Sequence, residues 1–403
     1  MSTHSSKMVD VSPVAVPHAE ASSSGGGEPA GPRRSWVEVD LGAIAANTRA
    51  FVELVQPAQV MAVVKADGYG HGAVEVARVA LEAGARYLAV ATTSEGVALR
   101  SAGIDAPILV LGVGGAAEPL DRLVEAGLSA TVTTEQAARR LDAAARSRGR
   151  RVRVHLKVDT GMGRLGVLPD QAAWLAGRVA SLPAVELEGV YSHLATADDP
   201  DLSYVAIQAA RFREAVASVE RELGTRAPRL RHLANTAGAL SSSDLRWDMV
   251  RIGLGLYGYY PAPHLQDRVA LRPALRLMAA VSEVRTLPAG SGVSYGRTHV
   301  TTRQTTIATL PIGYADGYTR RLSNRGRAAI GGRVYPVVGR ICMDQCMVET
   351  GDDAPPVGAV ACLLGPGDQG EMTVDEAARL TGTIPYEIVT QLGPRLPRVY
   401  MRR

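Results

Sequence analysis

The 403-residue chain is expected to be an α/β protein: a (β/α)8 TIM-like barrel followed by a mostly β C-terminal domain. From Trp36 to residue 270, short apolar runs alternate with longer amphipathic segments eight times, and such alternation means parallel strands joined by crossover helices. Near Leu271 the rhythm changes, and β-branched runs such as VVGRICMDQCMVE alternate with Gly and Pro turns as far as Arg403. Eight units suit a closed barrel, with an open doubly wound sheet as the alternative.

The elements follow in order. Residues 1–35 contain eight Ser, four Gly, four Pro and four Ala, so 20 of 35 positions are small or structure-breaking and a disordered tail is expected. Asp10 and Glu20 interrupt any apolar stretch in it, which argues against a secretory signal and for a cytoplasmic protein. A helix is expected over 41–55, where Ile44, Thr48, Phe51 and Val55 recur at helical spacing behind Asp40 as cap. The barrel strands are expected at 60–64, 87–91, 108–111, 129–132, 152–158, 185–191, 230–234 and 248–252. Their helices are placed at 72–83, 93–102, 116–126, 134–148, 169–181 and 203–223, with a short one from 236. In the C-terminal part, helical spacing occurs at 373–380 and 385–392. The expected division is thus 1–35, 36–270 and 271–403.

Composition excludes several classes of function. Hydrophobic residues make up 46% and charged residues 21%, and no window of eighteen apolar residues exists to form a transmembrane helix. A net charge of +4, with few aromatics among the basic clusters at 148–153, 320–327 and 398–403, implies neither nucleic acid nor membrane as partner, and these clusters read as solvated surface. Cys342, Cys346 and Cys362 are too few to staple a chain of this size, so a reducing compartment is expected. Cys342 and Cys346, four apart on an expected strand, lack a matching ligand pair, and no metal is expected.

Lysine usage singles out two positions. Lys7, Lys65 and Lys157 are the only lysines, and arginine supplies 41 of the 44 basic side chains. A lysine kept where arginine otherwise serves marks a need for an amine that can lose its proton and attack carbon. With Lys7 in the expected tail, Lys65 and Lys157 become the candidates, against the alternative that biased coding left them by chance.

A barrel of this class builds its site at the C-terminal ends of its strands, with phosphate held after the last two. Lys65 follows the first expected strand, DTGMGR (Asp159 to Arg164) the fifth, Ser192-His193 the sixth and Asn235-Thr236 the seventh; Arg251-Ile-Gly-Leu-Gly ends the eighth. A lysine facing a glycine-rich phosphate cradle across the mouth matches the length of pyridoxal 5'-phosphate, whose aldehyde the amine would hold as a Schiff base.

The segments AVVKADGYGHG, KVDTGMGRLG, YSHLATAD, HLANTAG, VRIGLGLYG, VSYGR, PIGYADG and VGRICMDQCM occur in that order. Together they resemble alanine racemase, the PLP-dependent isomerase family that interconverts L- and D-alanine and supplies D-alanine for cell-wall peptidoglycan. The resemblance covers residues 36–403. It implies Lys65 as Schiff-base lysine and base on the D face, and Tyr295 of a partner subunit as base on the L face. An ordinary phenol, with a pKa near ~10, is a poor base at neutral pH, and His193 with Arg251 behind it would favour the phenolate. Arg251 is implied to donate to the pyridine nitrogen. Tyr69, Asn235, Thr236, Gly253, Leu254 and Tyr386 match the rest of the cofactor shell, mostly around the phosphate. Arg164 and the partner's Met343 N–H match the contacts to the substrate carboxylate, and Tyr314 an entrance tyrosine contributed across a homodimer. Lys157 occupies a position that is carbamylated in part of the family; an unmodified lysine paired with Asp159 is the alternative.

Thr236 stands where serine is common, and Asp67-Gly68 where Asn-Ala is frequent; neither removes a reacting group. His71 reads as a helix-start residue, and His155 and His232, within strands, as core or supporting residues. Three other functions are the alternatives. A decarboxylase of basic amino acids would call for an acidic partner at the pyridine nitrogen, which Arg251 opposes. A PLP carrier without turnover would resemble the barrel alone. A broad-specificity periplasmic racemase would call for a signal segment.

Overall fold

The structure is a computed structural model that describes residues 34–113 and 119–403. The expected tail lies outside the described residues up to 33. Strand β1 (Ser35–Asp40) comes first, and Asp40 then caps the helix Leu41–Val55 through its side chain, 3.1 Å from the Ala43 N–H. The barrel strands are β2 (Gln59–Val63), β3 (Tyr87–Val90), β4 (Ile108–Val113), β5 (Ser129–Val132), β6 (Val152–Lys157), β7 (Val185–Tyr191), β8 (Leu230–His232) and β9 (Met249–Ile252). All seven ladders between them are parallel, in the order β8-β7-β6-β5-β4-β3-β2-β9. The barrel is nearly closed. Between β8 and β9 two backbone bonds, Asp248 N–H to Arg231 O and Arg251 N–H to Ala234 O, stand in for a ladder.

The expected helices recur with small shifts. The segment expected over 116–126 falls partly outside the described residues and is helical over Leu120–Glu125, and the one over 169–181 divides into a 3-10 turn, Pro169–Gln171, and the helix Ala172–Ala180. The capping signals are legible in the side chains, for Thr92 and Thr134 accept from the backbone N–H three residues on. Asn47, buried on the first helix, accepts from the Arg272 N–H and donates to the carbonyls of Leu256 and Arg272, so it ties the helix to the segment leaving the barrel.

The C-terminal region forms a nine-stranded sheet whose fifth, sixth and seventh strands in spatial order are Arg327–Ile330, Val360–Leu364 and Leu275–Ala280, with the helices Val374–Thr381 and Pro385–Thr390 following Val360–Leu364 in sequence. β1 belongs to this sheet: it pairs antiparallel with Leu275–Ala280 and parallel with Arg398–Met401. Val37 and Val39 point into the core while their neighbours face outward, the alternation of a half-buried strand.

Two expectations are corrected. Cys342 lies in a loop, and the strand Cys346–Gly351 begins only after it, because Gly339 turns the chain at φ +74°. The cluster at 398–403 is not uniformly solvated: the Arg398 guanidinium donates to the carbonyls of Gly70, Leu392, Leu396 and Gly393 at 2.6–3.0 Å. Arg398 is thus a structural cross-link between the last strand and the turn beyond β2.

Arg398→Leu should leave four carbonyls without their donor and lower stability by about 2–4 kcal/mol, several degrees of Tm. A scanning-calorimetry Tm equal to that of the parent would show that water replaces the guanidinium at no cost.

Candidate active site

The C-terminal ends of the barrel strands enclose a cavity of about 570 Å³. Lys65, Tyr69, Lys157, Arg164, His193, Asn235, Thr236, Arg251, Gly253, Leu254 and Tyr386 all line it. Tyr295, Tyr314 and Met343 do not. They lie on the surface, 71%, 42% and 53% exposed.

Lys65 follows β2 directly and opens a turn of unusual hand: Ala66, Asp67, Gly68 and Tyr69 all have φ between 51° and 59°. Left-handed helical conformation costs an L-residue roughly 1–2 kcal/mol, so the turn must be held from outside. The Glu95 carboxylate accepts from the Ala66 N–H at 2.7 Å on one oxygen and from the N–H groups of Ala91 and Thr92 on the other, while Asp67 caps the Ala73 N–H. Burial, and after it the Arg164 charge, pull the Lys65 ammonium below its ordinary range, with Glu95 opposing them. Its amine is thereby brought nearer to the neutral, nucleophilic form.

Arg251, on β9, is the buried cation of the site. Its Nη1 donates to His232 Nδ1 and His232 O, and its Nη2 to Ser192 O, Leu233 O and His193 Nδ1, all at 2.8–3.2 Å. No carboxylate among the described residues touches it. Nε alone of its nitrogens meets no acceptor among the described residues. Burial lowers its pKa to about 10, still cationic at neutral pH. Burial and the nearby cations, Arg251 first, push His193 down to about 2. His193 is therefore neutral, and since Nδ1 accepts from Arg251 its hydrogen sits on Nε2.

At the opposite end of the cavity the chain presents donors. Thr236 Oγ1 accepts from the Gly253 N–H at 3.1 Å, and the N–H groups of Thr236 and Leu254, first in their helical turns and buried, meet no acceptor among the described residues. Gly253 has to be glycine, because a Cβ there would lie 2.5 Å from Tyr69 Oη. The Tyr69 and Tyr386 rings stand 6.0 Å apart, and burial raises both phenols, Tyr386 to about 12, so they stay protonated donors. Asn235 caps the short helix by accepting from the Gly238 N–H.

Arg164 rides on a loop shaped by Asp159. Burial pulls that carboxylate up, but the Gly161, Met162 and Gly163 N–H groups on its Oδ1 prevail and hold its pKa low. Asp159 is thus engaged elsewhere, and the alternative Lys157–Asp159 ion pair is not formed. Lys157 Nζ instead lies 4.4 Å over the Tyr191 ring. Burial first, then Arg251 and Arg164, push its pKa down to about 7.

The three exposed residues are held together. Ser294, at φ +64° before Tyr295, donates through Oγ to Arg340 O, and the N–H groups of Tyr314 and Ala315 donate to Cys342 O and Met343 O. The Met343 N–H itself is unengaged among the described residues. Tyr191, which the sequence reading passed over, stacks on His232 at 4.7 Å beneath both Lys157 and Arg251. Glu95 was passed over as well. Its place in a capping box was readable, but its reach to Ala66 was not.

Comparison with known proteins gives the family. Residues 39–261 match the family described as alanine racemase, N-terminal domain, and residues 274–400 the one described as alanine racemase, C-terminal domain. The chain is 47% identical over 371 residues to alanine racemase of Symbiobacterium thermophilum, covering 92% of this chain and 98% of that one. The crystal structure of alanine racemase from Streptomyces lavendulae superposes with a TM-score of 0.87 at 41% identity, over 92% of this chain and 98% of that one. That of alanine racemase from Bartonella henselae with covalently bound pyridoxal phosphate gives 0.79 at 30%, over 92% and 100%.

The depressed Lys157 has a stability signature. Between its folded value of about 7 and its unfolded 10.5 the unfolded chain binds more protons, so the group's contribution to stability rises with pH across that window. In bicarbonate-free buffer Lys157→Met should therefore raise the Tm most at or below about pH 7, with an advantage that fades by about pH 10. A constant Tm difference across that range would show that Lys157 keeps an ordinary pKa in the fold.

Proposed function

The chain belongs to the alanine racemase family, and on that premise we propose that it interconverts L- and D-alanine as a PLP-dependent homodimer with composite sites. The cavity fits pyridoxal 5'-phosphate. An amine of depressed pKa stands at its side, a buried arginine offers a free Nε–H for a ring nitrogen, and unengaged N–H groups with two protonated tyrosines suit a phosphate. The pairing of Lys65 with a buried Arg251 that no carboxylate among the described residues touches carries this reading. When bound, the cofactor supplies the electron-withdrawing ring that acidifies the substrate α-carbon.

Lys65 would hold the aldehyde and, in turnover, move a proton at the α-carbon on the D face. Tyr295 of the partner subunit would serve the L face, since racemisation removes a proton from one side and returns one to the other. The His193 Nε2–H would donate to the Tyr295 oxygen and, backed by Arg251, favour the phenolate. Arg251 keeps its proton and so would leave the ring nitrogen hydrogen-bonded but unprotonated, which disfavours side reactions that need charge deep in the ring. Tyr69, Asn235, Thr236, Gly253, Leu254 and Tyr386 would hold the remainder of the cofactor. Arg164 and the partner's Met343 N–H would orient the substrate carboxylate, with Tyr314 at the entrance.

A Lys157 that titrates near neutrality is chemically able to take up carbon dioxide, and its carbamate would give Arg164 an acceptor. Three unpaired cysteines suit a reducing cytoplasm, and among the described residues no helix is long and apolar enough to cross a membrane. The product, D-alanine, would serve peptidoglycan synthesis. A working domain division at residues 270 and 271 keeps Lys65 with the barrel and Tyr295 with the β domain.

Purified, cofactor-loaded protein should racemise either alanine enantiomer, and borohydride should fix the cofactor to a peptide containing Lys65. Lys65→Arg should lose both properties, because a guanidinium stays protonated and does not attack carbon. Reduction that labels Lys157 instead would overturn the assignment.

Mixing inactive Lys65→Ala chains with inactive Tyr295→Phe chains should restore activity. In a hetero-dimer one site carries both lesions and the other neither, so random exchange leaves roughly a quarter of all sites intact. No recovery despite demonstrated subunit exchange would place each site within one chain.

A further inference from the structure

Beneath the cavity, a chain of hydrogen bonds runs down the inside of the barrel. His232 accepts from Arg251 at Nδ1, so its hydrogen must sit on Nε2, which lies 2.8 Å from His155 Nδ1. His155 must then carry its own hydrogen on Nε2, 3.0 Å from Glu188 Oε2. Every polarity along this chain is forced, because an arginine has donors but no acceptor and each neutral imidazole has one of each. Both imidazoles are fully buried. Gly189 leaves the room: a Cβ there would lie 2.4 Å from His155 Nδ1. The far end is anchored at the start of the strands, where Tyr87 Oη and Ser129 Oγ, from the first residues of β3 and β5, donate to Glu188, and Arg153 stands 3.6 Å from its Oε1. Burial pulls the Glu188 carboxyl up, but the His155 bond and Arg153 outweigh it and keep it ionised.

We propose that Glu188 is a positioning residue for the reaction: through His155 and His232 it holds in place the imidazole lone pair to which Arg251 donates inside the barrel, and so steadies the hydrogen that Arg251 turns to the cavity. This rests on the racemase reading above. Both ends of the chain ask for the same direction. With an acceptor at 188, each imidazole presents Nδ1 upward as an acceptor, Arg251 meets a lone pair, and no buried N–H is left over. Without it, keeping that polarity leaves the His155 Nε2–H buried with no carboxylate to meet, and reversing it would set a His232 Nδ1–H against the Arg251 Nη1–H. The His155 ring that supports His232 is then no longer held, and the contact of Arg251 to His193 and the aim of its Nε–H loosen together. Glu188 also supplies the negative charge that answers the buried cation, two imidazoles away from the chemistry.

The test is histidine-ring nitrogen NMR combined with steady-state kinetics on the cofactor-loaded enzyme. In the parent, His155 and His232 should both be neutral with the hydrogen on Nε2. Glu188→Leu should shift the His155 Nε2 resonance as that N–H loses its carboxylate, and lower kcat in both directions by about tenfold to a hundredfold, the scale of one lost bond to a charged group, while the cofactor stays bound. Glu188→Gln, which keeps an acceptor oxygen, should retain the parent tautomers and most of kcat. If Glu188→Leu does not fold, His155→Phe interrupts the same chain and should show the same loss of kcat. A parent His232 protonated on Nδ1, or a loaded interruption variant with unchanged kcat, would overturn the proposal. Failure of the parent enzyme to racemise alanine would instead sink the racemase reading, since the tautomers are read without substrate.

Discussion

A buried guanidinium that meets no carboxylate among the described residues is the constraint on which the rest of the site depends. Removing a cation from water costs several kcal/mol even after relaxation, and Arg251 offsets that with carbonyls and imidazole nitrogens rather than with a neighbouring charge. The carbonyls come from Ser192, His232 and Leu233, at the ends of β7 and β8. The His232 and Leu233 carbonyls lie at the seam where β8 and β9 share no ladder, so the side chain contributes to holding the barrel shut where the strands do not. A lysine could not do this, because one ammonium cannot reach acceptors spread around a planar fork. The same charge, added to burial, keeps His193 and His232 neutral and brings Lys157 close to neutrality. One buried cation thus bears on the protonation states of three groups around it.

The second constraint is strain. Four consecutive residues in left-handed conformation after Lys65 would not persist in an isolated segment. Glu95 and Asp67 hold them from within the barrel, and Arg398 holds the adjoining Gly70 from the C-terminal strand. The conformation of the chain beside Lys65 is therefore a property of the whole molecule. β1, zipped between Leu275–Ala280 and Arg398–Met401, completes the tie, because it delivers the first barrel helix from within the C-terminal sheet.

Much of this was legible in the sequence, and the reasons differ from element to element. The barrel strands announced themselves by β-branched apolar runs between capped amphipathic helices, and Lys65 by the scarcity of lysine. β1 escaped notice because two inward valines directly after a stretch of small residues make too short an alternation to stand out. Arg398 looked solvated because a charge cluster gives no sign of which member turns inward. Tyr191 and the chain from Arg251 to Glu188 were beyond reach for a deeper reason. Hydrogen-bond polarity depends on which nitrogen faces which partner, and that exists only once strands 77 residues apart in sequence, as at His155 and His232, are side by side.

The separation of Tyr295, Tyr314 and Met343 from the cavity follows from the same rigidity. Ile384, Tyr386 and Thr390 of the C-terminal region already line the cavity, so one side of that region faces the mouth of its own barrel. The turns bearing Tyr295, Tyr314 and Met343 are fastened to one another and point to solvent. To bring them to the cavity within one chain, a sheet stitched by strands from both ends of the sequence, and cross-linked to the barrel through Arg398 and Asn47, would have to come away from it. Docking two copies, as proposed, would leave every one of those contacts intact and would cover two tyrosines and a methionine that otherwise stand in water. The proposed exchange of these residues across a two-fold axis is thus the arrangement that this fold can reach without breaking what holds Lys65 in place.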